Sequence, residues 1–204
     1  MKVLAPYELE RLARIVQQNN PKTSCWSLLV LAELVSRTTP DSQWHRARDL
    51  VLAVDPDWSK KDCSHIIESL EQISLIDKDT ISSGSARFDP IIIRLKPNVM
   101  LNVIDAASYD GVISLKLLEN TKTCMRVNRR QSPSILLALI AIFVRKISYS
   151  GEFYQYIASG GNSRKSLLDK LSQAGIIYQV KVSDASKTGT LIYPVDDIIL
   201  GDSE

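Results

Sequence analysis

Asp62-Cys63-Ser64-His65-Ile66-Ile67-Glu68-Ser69-Leu70-Glu71-Gln72-Ile73-Ser74-Leu75-Ile76 aligns without a gap on Ser163-Arg164-Lys165-Ser166-Leu167-Leu168-Asp169-Lys170-Leu171-Ser172-Gln173-Ala174-Gly175-Ile176-Ile177, about 100 residues further along the chain. The apolar positions coincide. Each copy carries an aliphatic pair, a leucine three residues later (Leu70, Leu171), then Ile73 or Ala174, and a closing aliphatic pair. Side chains return to one side of an α-helix every three or four residues, so this spacing predicts one buried stripe on a helix that stops and runs directly into a strand. Gly175 stands where such a helix closes on a left-handed residue.

Working outward from the first copy, Pro6 to Gln18 has the helical spacing Leu9, Leu12, Ala13, Ile15, Val16 and reads as a packing helix. Thr23 or Ser24 opens a heavily apolar helix through Val35, and Gln43 to Val54 reads as a second helix. Ser59 begins the third, with Ser59-x-x-Asp62 resembling a capping box. Ile91 to Leu95 reads as a strand after a polar stretch containing Ser82-Ser83-Gly84-Ser85.

Around the second copy, Pro133 opens a helix reaching Lys146 or Ile147, and a short helix holds Phe153, Tyr154, Tyr156 and Ile157. Gly160-Gly161 turns the chain, and Asn162 or Ser163 caps the third helix. Ile176 to Val182 alternates as a half-buried strand, Ser183 to Gly189 forms a tip, and Thr190 to Val195 returns. Between the copies, Val99 to Ala107 is read as a helix and Val112 to Leu118 as a short helix or a strand, while Lys122 to Gln131 is basic and poorly patterned. Such a connector is too long to be structureless. Residues 1-97, 98-132 and 133-204 are the expected first domain, connector and second domain with an acidic tail.

Length and composition set bounds. A chain of 204 residues suits two small domains of roughly 75 to 100 residues each. Ile135 to Val144 is far shorter than the ~20 residues needed to span a bilayer, so it reads as a core helix. Glu8 and Glu10 arrive too early for a secretory apolar region, which leads to the expectation of a cytoplasmic, nucleoid-associated protein. Cys25, Cys63 and Cys124 are too few and too scattered for a disulfide framework, and Cys63-x-His65 lacks partners for a metal site. Net charge is only +2, but residues 121 to 190 hold 11 Lys/Arg against 3 Asp/Glu. That imbalance bears on partners rather than on fold.

The order helix, helix, helix, strand, turn, strand, together with the opening turn Asn162-Ser163-Arg164-Lys165-Ser166 followed by Leu-x-x-Leu, Gly175 and an aliphatic pair, resembles the bacterial winged-helix regulators. Residues 133 to 195 carry the resemblance well, 24 to 97 more loosely, and 98 to 132 not at all. It implies an α+β fold, mostly α, with two winged helix-turn-helix units in tandem. In that family the third helix enters the major groove and the wing touches phosphate. Carried over, it turns Asn162, Ser163, Arg164, Lys165, Ser166 and Lys170 toward DNA and makes Lys187 a backbone contact at the wing tip. The first-unit counterparts are Ser59, Lys60, Lys61, Asp62, Ser64 and His65, with Arg87 near the wing, although the Asp62 carboxylate weakens that surface.

Lys122, Arg126, Arg129 and Arg130 are either a basic arm or a solvated charged linker. Trp26, Trp44, Trp58, Tyr154 and Tyr156 sit beside apolar residues and read as core. No Gly-rich phosphate loop, nucleophile elbow or HExxH motif is present, so catalysis is not expected, and no cofactor or metal is expected either. Double-stranded DNA is the expected partner, in transcription regulation or in replication or partition, with a homodimer or a protein partner left open. The competing reading is an interaction subunit resembling the tandem winged-helix kite proteins of bacterial condensins. Near-neutral charge and the acidic tail favour that reading, and the basic stretch favours DNA.

Overall fold

The structure, a computed structural model, describes residues 1–19, 25–38, 43–57, 60–81, 90–127, 133–157, 161–184 and 187–195. Among the described residues it is an α+β fold, 57% helical, with eight helices and three small sheets. The chain divides into two compact units, Met1–Leu115 with Gln131–Pro133, and Lys116–Arg130 with Ser134–Glu204. No helix among the described residues is long and apolar enough to cross a membrane.

The first unit runs β1 (Lys2–Leu4), α1 (Pro6–Asn19), α2 (Trp26–Arg37), β2 (His45–Arg46), α3 (Ala47–Val54), α4 (Lys60–Gln72), β3 (Ile76–Thr80), β4 (Ile91–Leu95) and β5 (Val103–Asp105). Helix α2 is its centre: Trp26 to Ala32, Leu34 and Val35 are buried because α1, β1, α3, α4 and β4 pack around it. On α1, Leu9, Leu12, Ala13 and Val16 form the inward stripe, while Glu8 pairs with Arg11 and Glu10 with Arg14. The three-stranded sheet has the order β2-β4-β3, entirely antiparallel.

Two local differences from the sequence reading have one physical cause, a backbone ladder that local periodicity does not encode. Gln43 to Val54 is not one helix, because His45 and Arg46 pair with Ile93 and Ile92 and the helix starts only at Ala47. Val99 to Ala107 is not helical either. Its central residues form β5, which pairs antiparallel with β1 in the register Lys2↔Asp105, Val3↔Ile104, Leu4↔Val103. The flanking bonds Ala5 N–H to Asn102 O (3.0 Å) and Ala106 N–H to Met1 O (2.9 Å) extend that ladder. Trp44, just before β2, is 39% exposed rather than core.

Val112 to Leu118 belongs to a single helix, α5 (Tyr109–Val127), which also takes in the basic stretch through Val127. It begins in the first unit and ends in the second. The second unit continues with α6 (Ser134–Phe143), α7 (Ser150–Ile157), α8 (Gly161–Gln173), β6 (Ile177–Asp184) and β7 (Lys187–Pro194). Residues Ile135 to Phe143 of α6 are all buried, making it the counterpart of α2. The helix stops short of Lys146, which takes φ 55° while Ile147 N–H bonds Ala141 O at 2.9 Å. Between α6 and α7, Tyr149 bridges to Leu191 and Ile192 N–H bonds Ser148 O at 2.8 Å, a reduced version of β2 lying against the second ribbon strand. The ribbon is longer than the sequence suggests: pairing extends to Asp184↔Lys187, leaving Ser183, Asp184 and Lys187 to Gly189 in strands. Asn162 and Ser163 lie inside the first turn of α8, so neither is the residue that precedes and caps it.

The two joints between third helix and ribbon are superposable bond for bond. In the first, Ile73, Ser74 and Leu75 N–H donate to Ser69, Glu71 and Leu70 O; in the second, Ala174, Gly175 and Ile176 N–H donate to Lys170, Ser172 and Leu171 O. Both closing residues are left-handed, Ser74 at φ 58° and Gly175 at φ 69°. This is the Schellman arrangement, and it satisfies carbonyls that a helix end otherwise leaves without partners. The return strands then dock alike, Lys96 N–H on Leu75 O and Val195 N–H on Ile176 O.

Candidate nucleic-acid interface

Helix α8 is fixed by three leucines. Leu167, Leu168 and Leu171 are at most 5% exposed, which turns Lys165 and Asp169 outward and leaves Ser166 and Lys170 half-buried. Asn162, Ser163 and Arg164 occupy the first turn of α8 by backbone, and their side chains lie outside the described residues. Lys170 is already engaged within the fold. The exposed stripe of α8 is therefore mixed, with a cation at its start and the Asp169 carboxylate one turn later. Asp169 also acts inward: burial, and then this carboxylate, push the Tyr154 hydroxyl on α7 above its ordinary pKa.

Helix α4 is mounted the same way on Ile66, Ile67 and Leu70, but its outward surface is different. Ser64 and His65 are exposed, and Glu68 and Glu71 stand where α8 has Asp169 and Ser172. His65 Nδ1 lies 3.9 Å from Glu68 Oε2, and Glu71 pairs with Lys78 at 3.0 Å. The side chains of Lys60 and Lys61 and the whole of Arg87 lie outside the described residues. Lys187 stands opposite Asp184 in the last registered pair of the second ribbon, its side chain likewise outside the described residues. In the basic stretch, Lys122 is half-buried and Arg126 exposed on α5; Arg129 and Arg130 lie outside the described residues.

Two surface features escaped the sequence reading. In the first unit, Arg94 places its guanidinium 4.6 Å from the Trp44 ring centroid and bonds Asp77 at 3.0 Å. Trp44 thus covers a charge pair rather than filling the core. In the second unit, Tyr178 and Tyr193 stack on the outer face of the ribbon, with ring centroids 5.1 Å apart and planes 17° from parallel. Both features depend on the cross-strand register, which only the fold supplies. Among the described residues, no three His, Cys, Asp or Glu side chains group closely enough to hold a metal ion.

No family model matches the chain, and no curated protein matches its sequence. Within the chain's own internal repeat the two third helices differ at matched positions: α8 has Lys165, Asp169 and Ser172 where α4 has Ser64, Glu68 and Glu71.

Proposed function

We propose that this chain is a double-stranded DNA-binding protein made of two winged helix-turn-helix units in tandem, with α8 as the main recognition helix. The observation that carries the reading is Lys165, exposed in the opening turn of a helix whose opposite side is anchored by Leu167, Leu168 and Leu171. The preceding Asn162, Ser163 and Arg164 extend the same turn. A helix so presented fits the major groove, which is about 12 Å wide, and cations at its start suit both base edges and phosphates. The excess of Lys and Arg over residues 121 to 190 supplies the long-range attraction, and the matching helix-to-ribbon joints support the tandem arrangement. Helix α4, with Glu68 and Glu71 outward, plays the lesser part.

The test is duplex binding across a salt series, because neutralising phosphates releases counterions and makes affinity fall steeply with salt. Arg164→Ala with Lys165→Ala is expected to weaken binding more than Lys60→Ala with Lys61→Ala. An equal or larger loss from the first-unit pair would overturn the assignment to α8, and salt-independent binding would overturn the reading as a whole.

A further inference from the structure

The outer faces of the two ribbons are built on one scaffold from opposite chemistry. Tyr178 and Tyr193 are cross-strand partners immediately after the joint, and the same pair of places in the first unit holds Asp77 and Arg94. Two residues further along β6, Val180 stands where β3 has Asp79; at the end of the return strand, Val195 stands where the first unit has Lys96. The strand between first and second helices repeats the exchange, Tyr149 for Arg46. Every charged position has become apolar or aromatic. The charged face is satisfied internally by the Asp77–Arg94 pair under Trp44. Among the described residues the apolar one is not covered: Tyr178 is 51%, Val180 44%, Tyr193 36% and Val195 53% exposed.

The strand edges differ in the same sense. Both ribbons have an outer strand, β3 and β6, with no strand on its far side among the described residues. Strand β3 carries Asp77, Lys78 and Asp79 in succession within five residues, the kind of charge that blocks edge pairing, whereas β6 spreads Lys181 and, at its far end, Asp184 over eight. Tyr178, Val180, Tyr193 and Val195 form a narrow patch along one ribbon rather than the broad surface of a standard interface, which engages roughly 20 to 30 residues of all kinds a side. An extended segment fits, because main-chain bonds along β6 add to the side-chain contacts.

We propose that β6 accepts an extended segment of a partner protein as an added strand, its alternate apolar side chains covering Tyr178, Val180 and Tyr193. Charge complementarity specifies the residues between them. The second unit is basic, and Lys181 is exposed on the side of β6 opposite the tyrosines, so the intervening residues are acidic. This site lies on the ribbon and does not depend on the DNA reading of α8.

The probe is a synthetic peptide the length of β6, alternating valine and glutamate, titrated against the full chain by fluorescence anisotropy beside a valine–lysine peptide and a valine–glutamate peptide N-methylated along one edge. The wild-type chain is expected to bind the valine–glutamate peptide and to lose about tenfold or more in affinity on N-methylation. Tyr178→Asp with Tyr193→Arg, which installs the pair the first unit already carries, is expected to abolish binding while circular dichroism and duplex binding hold. Tyr178→Thr with Tyr193→Thr is the second variant, should the first fail to fold. Unchanged binding in a folded variant, equal binding of the valine–lysine peptide, or insensitivity to N-methylation would each overturn the proposal. So would self-association of the wild-type chain that disappears in the folded variants, which would make a second copy the occupant.

Discussion

Ser74 and Gly175 close the two third helices with the same left-handed backbone and the same hydrogen bonds, yet only one of them is glycine. A side chain at positive φ brings Cβ against the following carbonyl, a cost of roughly 1 to 2 kcal/mol that glycine avoids. Around Gly175 an added Cβ would meet no atom within 4 Å, so the cost of filling it is backbone strain alone. Gly175→Ala is therefore expected to destabilise the chain by about 1 kcal/mol, and Ser74→Gly to stabilise it by a similar or smaller amount. Urea melts of the two variants check both signs. A neutral Gly175→Ala would show that the left-handed geometry is not retained in solution.

Those joints were legible because the features that build them are local: an i, i+3/i+4 stripe, a break, and an aliphatic pair. The long helix α5 was not. Its inward stripe runs through Ile113, Leu117, Thr121, Cys124 and Met125, with Ser114 also fully buried, so polar residues interrupt the apolar signal. Thr121 solves its burial by donating its hydroxyl to Leu117 O at 2.7 Å, a bond within the helix that leaves no trace in hydropathy. Strands β2 and β5 were hidden for a different reason, being two or three residues long and defined by partners distant in sequence. The candidate site divides the same way. Lys165 could be read from its place before the leucines, whereas Tyr178 and Tyr193 become a pair only through the ribbon register.

Gly189 meets a steric requirement rather than a conformational one. A Cβ there would fall 2.2 Å from the Tyr149 ring, inside any allowed contact. Gly189→Ala is expected to cost about 2 kcal/mol or more, the range for forcing atoms into a packed site. The Tyr149→Leu background, which removes the ring, is expected to return most of that loss. Thermal melts of the two single variants and the double variant form a cycle, and simple additivity would contradict the packing of Tyr149 on Gly189.

His45 gives the first unit a defined response to acid. Burial, and secondly the nearby Arg37 cation, hold its imidazole below the ordinary histidine value of 6.5, and its Nε2 is buried without a hydrogen-bond partner among the described residues. In the unfolded chain this histidine takes up a proton as the pH falls through about 6.5, while in the folded chain it resists. The fold is thus unaffected by this group above that pH and is progressively destabilised as the pH drops toward the lowered folded value. The Tm is expected to fall between about pH 7 and pH 5, and less so in His45→Gln. An identical pH slope in the variant would remove His45 from the account.

Arg164 and Lys187 are expected to act differently on DNA because they occupy different parts of the second unit. Arg164 lies in the first turn of α8, the segment that would face base edges, and arginine can bond guanine through O6 and N7 together. Lys187 lies at the far end of the ribbon, opposite Asp184, where a cation suits phosphate. Arg164→Ala is expected to cost about 1 to 3 kcal/mol on a cognate duplex and much less on unrelated DNA, whereas Lys187→Ala should weaken both alike and lower the salt slope by roughly one. Duplex titrations at several salt concentrations separate the two behaviours. A uniform loss in Arg164→Ala would make it a phosphate clamp, and no change in either variant would shift the balance from the nucleic-acid reading of this unit toward protein interaction.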